Sequence, residues 1–466
     1  MREAGTWVLV AAIVGSAMTF IDGTAVNVAL PIIQHDLNAD SAQMQWVVEG
    51  YSLFLAALIL LGGSLGDLYG RKRMFLTGIA LFAVASMACG FAANVSLLVT
   101  ARMAQGAGAA LAMPESLALL SANFSGDARG RAIGTWSGFA SITAAMGPVL
   151  GGWLAQHASW RYVFFINVPL AIGVFALSVR GVPESRDESA SRRADLPGAV
   201  LATIGLGALT YGFIRAQDGG NAEAYAAWAI GVVALAAFVE VERASSAPMM
   251  PIALFRSKDF SIANVYTLAL YSALGGALYF LPFVLIDAQK YTPTAAGAAL
   301  LPFVVLQFAF SRWSGGLAAR IGARTPLIAG AAIAAVAFLL YALPGLGGSY
   351  WTTYFPAALV LGIAGVLFVA PLTTTVFDSV ATEHSGVASG INNAVARTAG
   401  LLAIAMLGIV FAAFSPGGTV QRDPAEELAG FRAVMIASAA VCIAAAFVAT
   451  RLAPRKPQRV AKRRIA

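Results

Sequence analysis

Four ionisable side chains stand inside stretches that are otherwise apolar: Asp22, Glu49, Arg102 and Glu115. A charged group in hydrocarbon costs about 2.5–3.5 kcal/mol on insertion scales, so such residues are functional candidates by default. An acid there can take up and release a proton and can also attract a cation, and the two ligands would compete. Asp22 could do this, or could be a structural carboxylate pairing with a neighbouring helix. Arg102 could tune a nearby acid, and Asp22 is one available partner. Glu115 lies thirteen residues from Arg102, about 20 Å along an ideal helix, which is too far for a direct pair. It is either a second protonation site or a structural acid near the inner interface. Glu49 either lines an outer vestibule or sits at the interface.

Two glycine-rich segments accompany these groups. Gly63-Ser-Leu-Gly-Asp-Leu-Tyr-Gly-Arg-Lys-Arg73 falls between two apolar runs and carries Asp67, Gly70 and three consecutive cations from Arg71. Asp67 could accept hydrogen bonds from a helix N-terminus or pair with a cation, serving as a latch. Gly147-Pro148-Val-Leu-Gly151-Gly152 combines close-approach residues with a helix-bending proline, the make-up of a rocking interface or of static close packing. A weaker copy of the first segment, Gly315–Arg324, places Ala319 where Asp67 would be.

The elements that must position these residues are membrane helices. The 466-residue chain is 59% hydrophobic and 11% charged, against about a quarter charged in soluble proteins. Stretches of about 20 apolar residues predict fourteen spans near 7–32, 45–66, 74–93, 96–120, 132–155, 162–180, 197–215, 224–241, 260–286, 294–318, 325–344, 352–377, 386–414 and 430–451. The first is long enough to span and lacks a cleavage-site pattern. Of the 30 Lys and Arg residues, 22 fall on the side that holds both termini and 5 on the other. The remaining three, Arg102, Arg312 and Arg397, lie within spans. The positive-inside rule then makes both termini cytoplasmic.

Other chemistries find little support. Cys89 and Cys442 lie in apolar spans and suggest no disulfide framework. His35, His157 and His384 fall in separate loops and form no metal site. No phosphate-binding loop appears, which disfavours ATP-driven transport. The basic residues occupy loops between spans, so nucleic acid is not an expected partner, and neither a cofactor nor a metal is expected. A non-transporting sensor or an intramembrane enzyme has no nucleophile-and-base cluster behind it.

The motifs together resemble the major facilitator superfamily, in its fourteen-span drug:proton antiporter branch. Gly63–Arg73 is similar to the loop between that family's second and third helices. Arg102, Gln105, Gly106, Gly108, Ala109 and Ala110 resemble its fourth-helix motif, and Gly147–Gly152 its antiporter motif. Asp22, Thr24, Asn27, Ala29, Leu30 and Pro31 resemble the first-helix motif of the branch. Trp160-Arg161, Phe165–Pro169 and Gly386–Gly400, with Asn392 and Asn393, also fit it. The resemblance implies an all-α fold of two six-helix bundles plus two additional central helices. The expected division is 1–180, a connector with the two extra helices over 181–258, a second bundle over 259–452 and a basic tail over 453–466. It implies a cell-membrane exporter of amphiphilic compounds in exchange for protons, compatible with a monomer. Asp22, Arg102, Glu115 and Glu49 would serve proton coupling. Gly63, Asp67, Gly70, Arg71 and the Gly147–Gly152 motif would serve gating, and Asn27, Tyr266, Asn392 and Asn393 the substrate cavity. An exporter dedicated to one endogenous metabolite, lipid or antibiotic is the alternative.

Overall fold

The computed structural model describes residues 2–186, 194–217, 221–246, 248–381, 385–415 and 423–453. Among them no strand occurs, and fourteen helices are long and apolar enough to cross a membrane. The first six are α1 (Gly5–Asp36), α2 (Ser41–Tyr69), α3 (Arg71–Gly90), α4 (Val95–Asn123), α5 (Arg131–His157) and α6 (Tyr162–Gly181). Next come α7 (Leu196–Ala216) and α8 (Ala222–Ala244). The last six are α9 (Lys258–Ala288), α10 (Pro293–Phe310), α11 (Arg324–Ala342), α12 (Tyr354–Asp378), α13 (Gly386–Phe414) and α14 (Pro424–Ala449).

Local sequence sets the helix starts. The Asp40 side chain accepts from Gln43 N at 2.7 Å and Asp40 N donates to the Gln43 side chain at 3.0 Å, a reciprocal cap that opens α2. Asn94, Asp195, Asn221 and Asp423 cap α4, α7, α8 and α14 in the simpler one-sided way. Between α2 and α3 the chain turns on Gly70 alone, at φ +110°. A Cβ there would also lie 2.8 Å from the Glu184 carboxyl carbon. Backbone geometry and space therefore both require glycine.

Helices α1–α6 pack among themselves, as do α9–α14. Close approach relies on glycine, as expected where lipid removes the hydrophobic drive between helices. Gly78 of α3 and Gly108 of α4 face each other, and a Cβ on Gly78 would sit 2.7 Å from the Gly108 carbonyl oxygen. The second bundle is filled by aromatics instead, with Tyr266, Phe338, Tyr354, Phe368 and Phe431 fully buried. The α7–α8 hairpin lies between the bundles. Leu206 of α7 shares one apolar cluster with Leu53 and Leu61 of α2 and Leu401 of α13.

The helices alternate in direction. Gly5 meets Phe124, and Trp7 meets Gly181, on what we call the terminal face. Asp36 meets Trp160 and Arg161 on the opposite, distal face. The helices overrun several expected boundaries, and the reason is capping and interhelical pairing. His35 and His157 fall in the last turns of α1 and α5 rather than in loops. His384 and the tail from 454 lie outside the described residues, as do the side chains of Arg312 and of residues 315–320 in the repeat segment.

Candidate functional site

Asp22 and Arg102 meet in the middle of the first bundle. They come from α1 and α4, eighty residues apart, and form an ion pair with side-chain exposures of 0% and 1%. One carboxylate oxygen of Asp22 accepts from Arg102 Nη1. The other accepts from Gln105 Nε2 at 2.8 Å and from Asn167 Nδ2 at 3.0 Å. All three partners donate to the carboxyl oxygens, which accept. Arg102 is held in turn. Its Nη1 donates to Gln105 Oε1 at 2.6 Å, its Nε donates to the Val47 carbonyl of α2 at 3.1 Å, and its guanidinium stacks 4.3 Å from the Tyr51 ring centroid. Ser86 of α3 accepts from Gln105 and Asn167 and donates to the Phe164 carbonyl. Five helices thus contribute to one dry polar cluster. Burying a pair this way is worthwhile only when the remaining donors and acceptors are satisfied.

Asn167 and Ser86 were not among the expected site residues. Asn167 had a signal, as a lone amide within Phe165–Pro169. Ser86 had none, being one of many small polar residues in apolar spans.

Glu49 and Glu115 lie outside this cluster. Both are fully buried, and none of their carboxylate oxygens has a hydrogen-bond partner among the described residues. Glu115 sits in the half of α4 nearer the terminal face, against Gly66 of α2, where any Cβ would overlap its carboxylate.

At the terminal face, Asp67 pairs with Arg71 at 2.7 Å. The N-terminus of α3 is held by another acid, Glu184, which follows α6. Its carboxylate accepts from Lys72 N at 2.9 Å and Arg73 N at 3.1 Å, while Arg71 N donates to the Ser185 carbonyl at 2.8 Å. Of the two roles open to Asp67, pairing with a cation is the one present, and the cap at the α3 N-terminus is made by Glu184. Three free amides beside three cations were the signal for such an acid.

At the distal face the two bundles touch. Gly152 and Gly297 bring α5 against α10: a Cβ on Gly152 would overlap the Pro293 carbonyl, and one on Gly297 the Pro148 carbonyl. On its other side α5 packs on α1, with Gly147 against Thr24 and Gly151 against Ala25. His35 Nε2 lies 3.5 Å from Asp287 Oδ1, joining α1 to α9, so Asp287 is engaged across the bundle interface rather than simply solvated. The α5 stripe that carries Pro148 and Gly152 continues at helical spacing to Gly138 and Gly134. Among the described residues, a Cβ on either of these would meet nothing within 4 Å. Along α5 the described contacts with the second bundle lie at the distal end, whereas α2 and α13 stay in contact further towards the terminal face, where a Cβ on Gly390 would lie 3.2 Å from Leu60.

The expected cavity residues divide. Tyr266 is fully buried and donates its hydroxyl to the Leu327 carbonyl at 2.8 Å, so it packs inside the second bundle rather than facing a cavity. Asn392 donates to Asn264 and Thr267 of α9, and exposed Asn393 donates back to the Ser389 carbonyl. Asn27 is half-buried, with its amide oxygen unpartnered among the described residues. Arg397 of α13 reaches across to α1, 5.9 Å from the Phe20 ring centroid. Gly63, half-buried on α2, lies 3.6 Å from Pro114 by the same Cβ construction.

A fourteen-helix, two-bundle membrane protein with a buried acid–cation pair and a glycine-lined interface is the architecture of a secondary transporter. The chain matches the Major Facilitator Superfamily over residues 12–405 and belongs to that family, whose members are multi-pass membrane transporters and not enzymes. It is 38% identical over 423 residues to multidrug resistance protein Stp of Mycobacterium tuberculosis (strain CDC 1551 / Oshkosh), covering 89% of this chain and 77% of that one. It is 34% identical over 407 residues to the tetracenomycin C resistance and export protein of Streptomyces glaucescens, covering 87% and 75%. Among solved structures, a bacterial homologue of the human lysosomal transporter Spinster shares the fold. Its TM-score is 0.68 at 16% identity, over 96% of this chain and 97% of that one.

Proposed function

We propose that this protein exports amphiphilic drugs or antibiotics in exchange for protons, by alternating access between its two bundles. The observation that carries the proposal is the buried Asp22–Arg102 pair. A carboxylate sealed by one cation and two amides can accept a proton only if Arg102 lets go. Release of Arg102 would also free the Val47 carbonyl and the Tyr51 face, moving α2 and α4 together. The names of the relatives support export of toxic small molecules as the direction of use. The excess of Lys and Arg on the terminal face supports a cytoplasmic location for that face and for both termini. In that orientation the contact between α5 and α10 through Gly152 and Gly297 lies on the outer side.

In this reading Glu115 serves as a proton site near the cytoplasmic face. Asp67, Arg71, Gly70 and Glu184 form the hinge that α2 and α3 use when that face closes. Asn27, Asn392, Asn393 and Arg397 offer polar contacts to a substrate between the bundles.

The test is a dye and antibiotic panel in a pump-deficient host expressing the protein, with and without a proton uncoupler. Lower intracellular accumulation of several unrelated amphiphiles, abolished by the uncoupler, is the expected result. Protection against one compound alone would replace the broad reading with a dedicated exporter, in line with a relative named for tetracenomycin C export. Accumulation unaffected by the uncoupler would remove proton coupling.

A further inference from the structure

The three parts of the fold meet at one point near the distal face. Gln45 of α2 and Gln217, which follows α7, form a reciprocal amide pair: Gln45 Nε2 donates to Gln217 Oε1 at 3.1 Å, and Gln217 Nε2 donates to Gln45 Oε1 at 2.8 Å. Gln217 Nε2 also reaches the Ala405 carbonyl of α13 at 3.4 Å. The pair rests on Gly408 of α13, where a Cβ would lie 2.5 Å from one amide nitrogen and 2.6 Å from the other. First bundle, inserted hairpin and second bundle are therefore clamped together by two side chains and a glycine seat. The clamp lines a small recess walled by Tyr279, Phe280, Phe283 and Phe411.

Glu49 lies one helical turn from Gln45 along α2, about 6 Å deeper. Another turn further, Leu53 packs against Gly207 of α7. Gln45, Glu49 and Leu53 form one stripe, so Glu49 occupies the α2 surface between two contacts with α7. On α7 the stripe of Gln217 carries Thr210, seven residues away, whose hydroxyl is also buried and unpartnered among the described residues. The nearest buried cation of the first bundle, Arg102, engages α2 through Val47 and Tyr51. Arg215 near the clamp is paired with Glu223 at 2.8 Å. Arg397 of α13 lies against the Phe20 ring of α1. An ionised carboxylate without a partner cannot be kept in such a place, and the group neutralises instead.

We infer that Glu49 is a gated proton-binding site, and that the Gln45–Gln217 clamp is its gate. When the distal face opens, the amide pair separates and Glu49 takes one proton from the distal solution, forming the O–H bond of the neutral acid. When the face closes, the clamp reforms above it and the proton is trapped. This gives the inserted α7 a part in coupling, since it supplies half the gate. The inference rests on the alternating-access reading above, but its test does not require transport.

The test is infrared spectroscopy of the full-length protein in lipid nanodiscs, across a range of bulk pH. Wild-type protein should show a protonated-carboxyl C=O band that Glu49→Gln removes and that bulk pH does not titrate. Opening the gate with Gly408→Leu, or with Gln217→Ala should the bulkier variant not fold, should make that band titrate. A spectrum unchanged by Glu49→Gln, or a band that stays insensitive to pH after the gate is opened, would overturn the inference. A failure of export shows instead in the efflux panel, where wild-type protein would confer no protection, and would leave the infrared result standing.

Discussion

Asp22→Asn should reduce proton-driven efflux in proteoliposomes to the leak rate while substrate counterflow, which needs no net proton movement, continues. The asparagine keeps an acceptor for Arg102 and removes the titratable proton, but it leaves the guanidinium without its counter-charge, so stability is read beside transport. Undiminished transport driven by a pH gradient would show that Asp22 does not carry the proton. Arg102→Ala should be the harsher change. It leaves the Asp22 carboxylate buried with two amide donors and no counter-charge, and breaking a buried pair from one side costs about 3–5 kcal/mol. The matched double variant, Asp22→Asn with Arg102→Gln, should recover much of that stability without recovering coupling. A thermal-denaturation cycle over the four proteins reads the pair energy, and the transport assay reads the proton. Additive stability losses would mean that the two side chains do not depend on each other.

The second large effect is expected at Gly152. Its neighbour across the bundle interface is backbone, the Pro293 carbonyl, which cannot move aside as a side-chain end would. Gly152→Leu should therefore prop α5 away from α10 at the distal face. Overpacking of this kind costs about 1–3 kcal/mol, and about 1.4 kcal/mol is a tenfold change in a two-state equilibrium. The ratio of distal-closed to distal-open protein should fall by roughly ten- to a hundredfold on that scale. Spin labels on the distal ends of α5 and α10 should report a longer separation, and export should fall with it. An unchanged distance distribution would mean that this contact does not set the conformational balance.

The spans could be read from the chain because each is a long apolar run, and the motif residues Asp22, Arg102 and Gly147–Gly152 stood out by type and spacing. The joining of Asp22 to Arg102 did not follow from the sequence. The pair spans eighty positions and two helices, and helix rotation is set by glycine contacts such as Gly78 on Gly108, which no single helix reveals. The caps Asp40 and Asn94 are local and legible. Glu184 is a cap supplied from over a hundred residues away, so the sequence shows its need but not its supplier. Gln45 and Gln217 read as ordinary polar residues near helix ends, and only packing makes them one device. Tyr266 shows the opposite error: an aromatic in an apolar span suits a cavity wall and a core equally well, and its hydroxyl bond to Leu327 decides for the core.

Among the described residues, Gly134 and Gly138 have no neighbour for a Cβ to meet, although they continue the stripe on which Pro148 and Gly152 make backbone contact. On the alternating-access reading proposed above, these are the positions at which α5 would close on the second bundle at the terminal end. A side chain added there should be invisible to a melting experiment on the present state and should appear only as a stalled cycle. Gly138→Val is expected to leave thermal stability unchanged and to slow turnover. On that reading, glycines that meet no described neighbour mark where the bundles would touch after rocking.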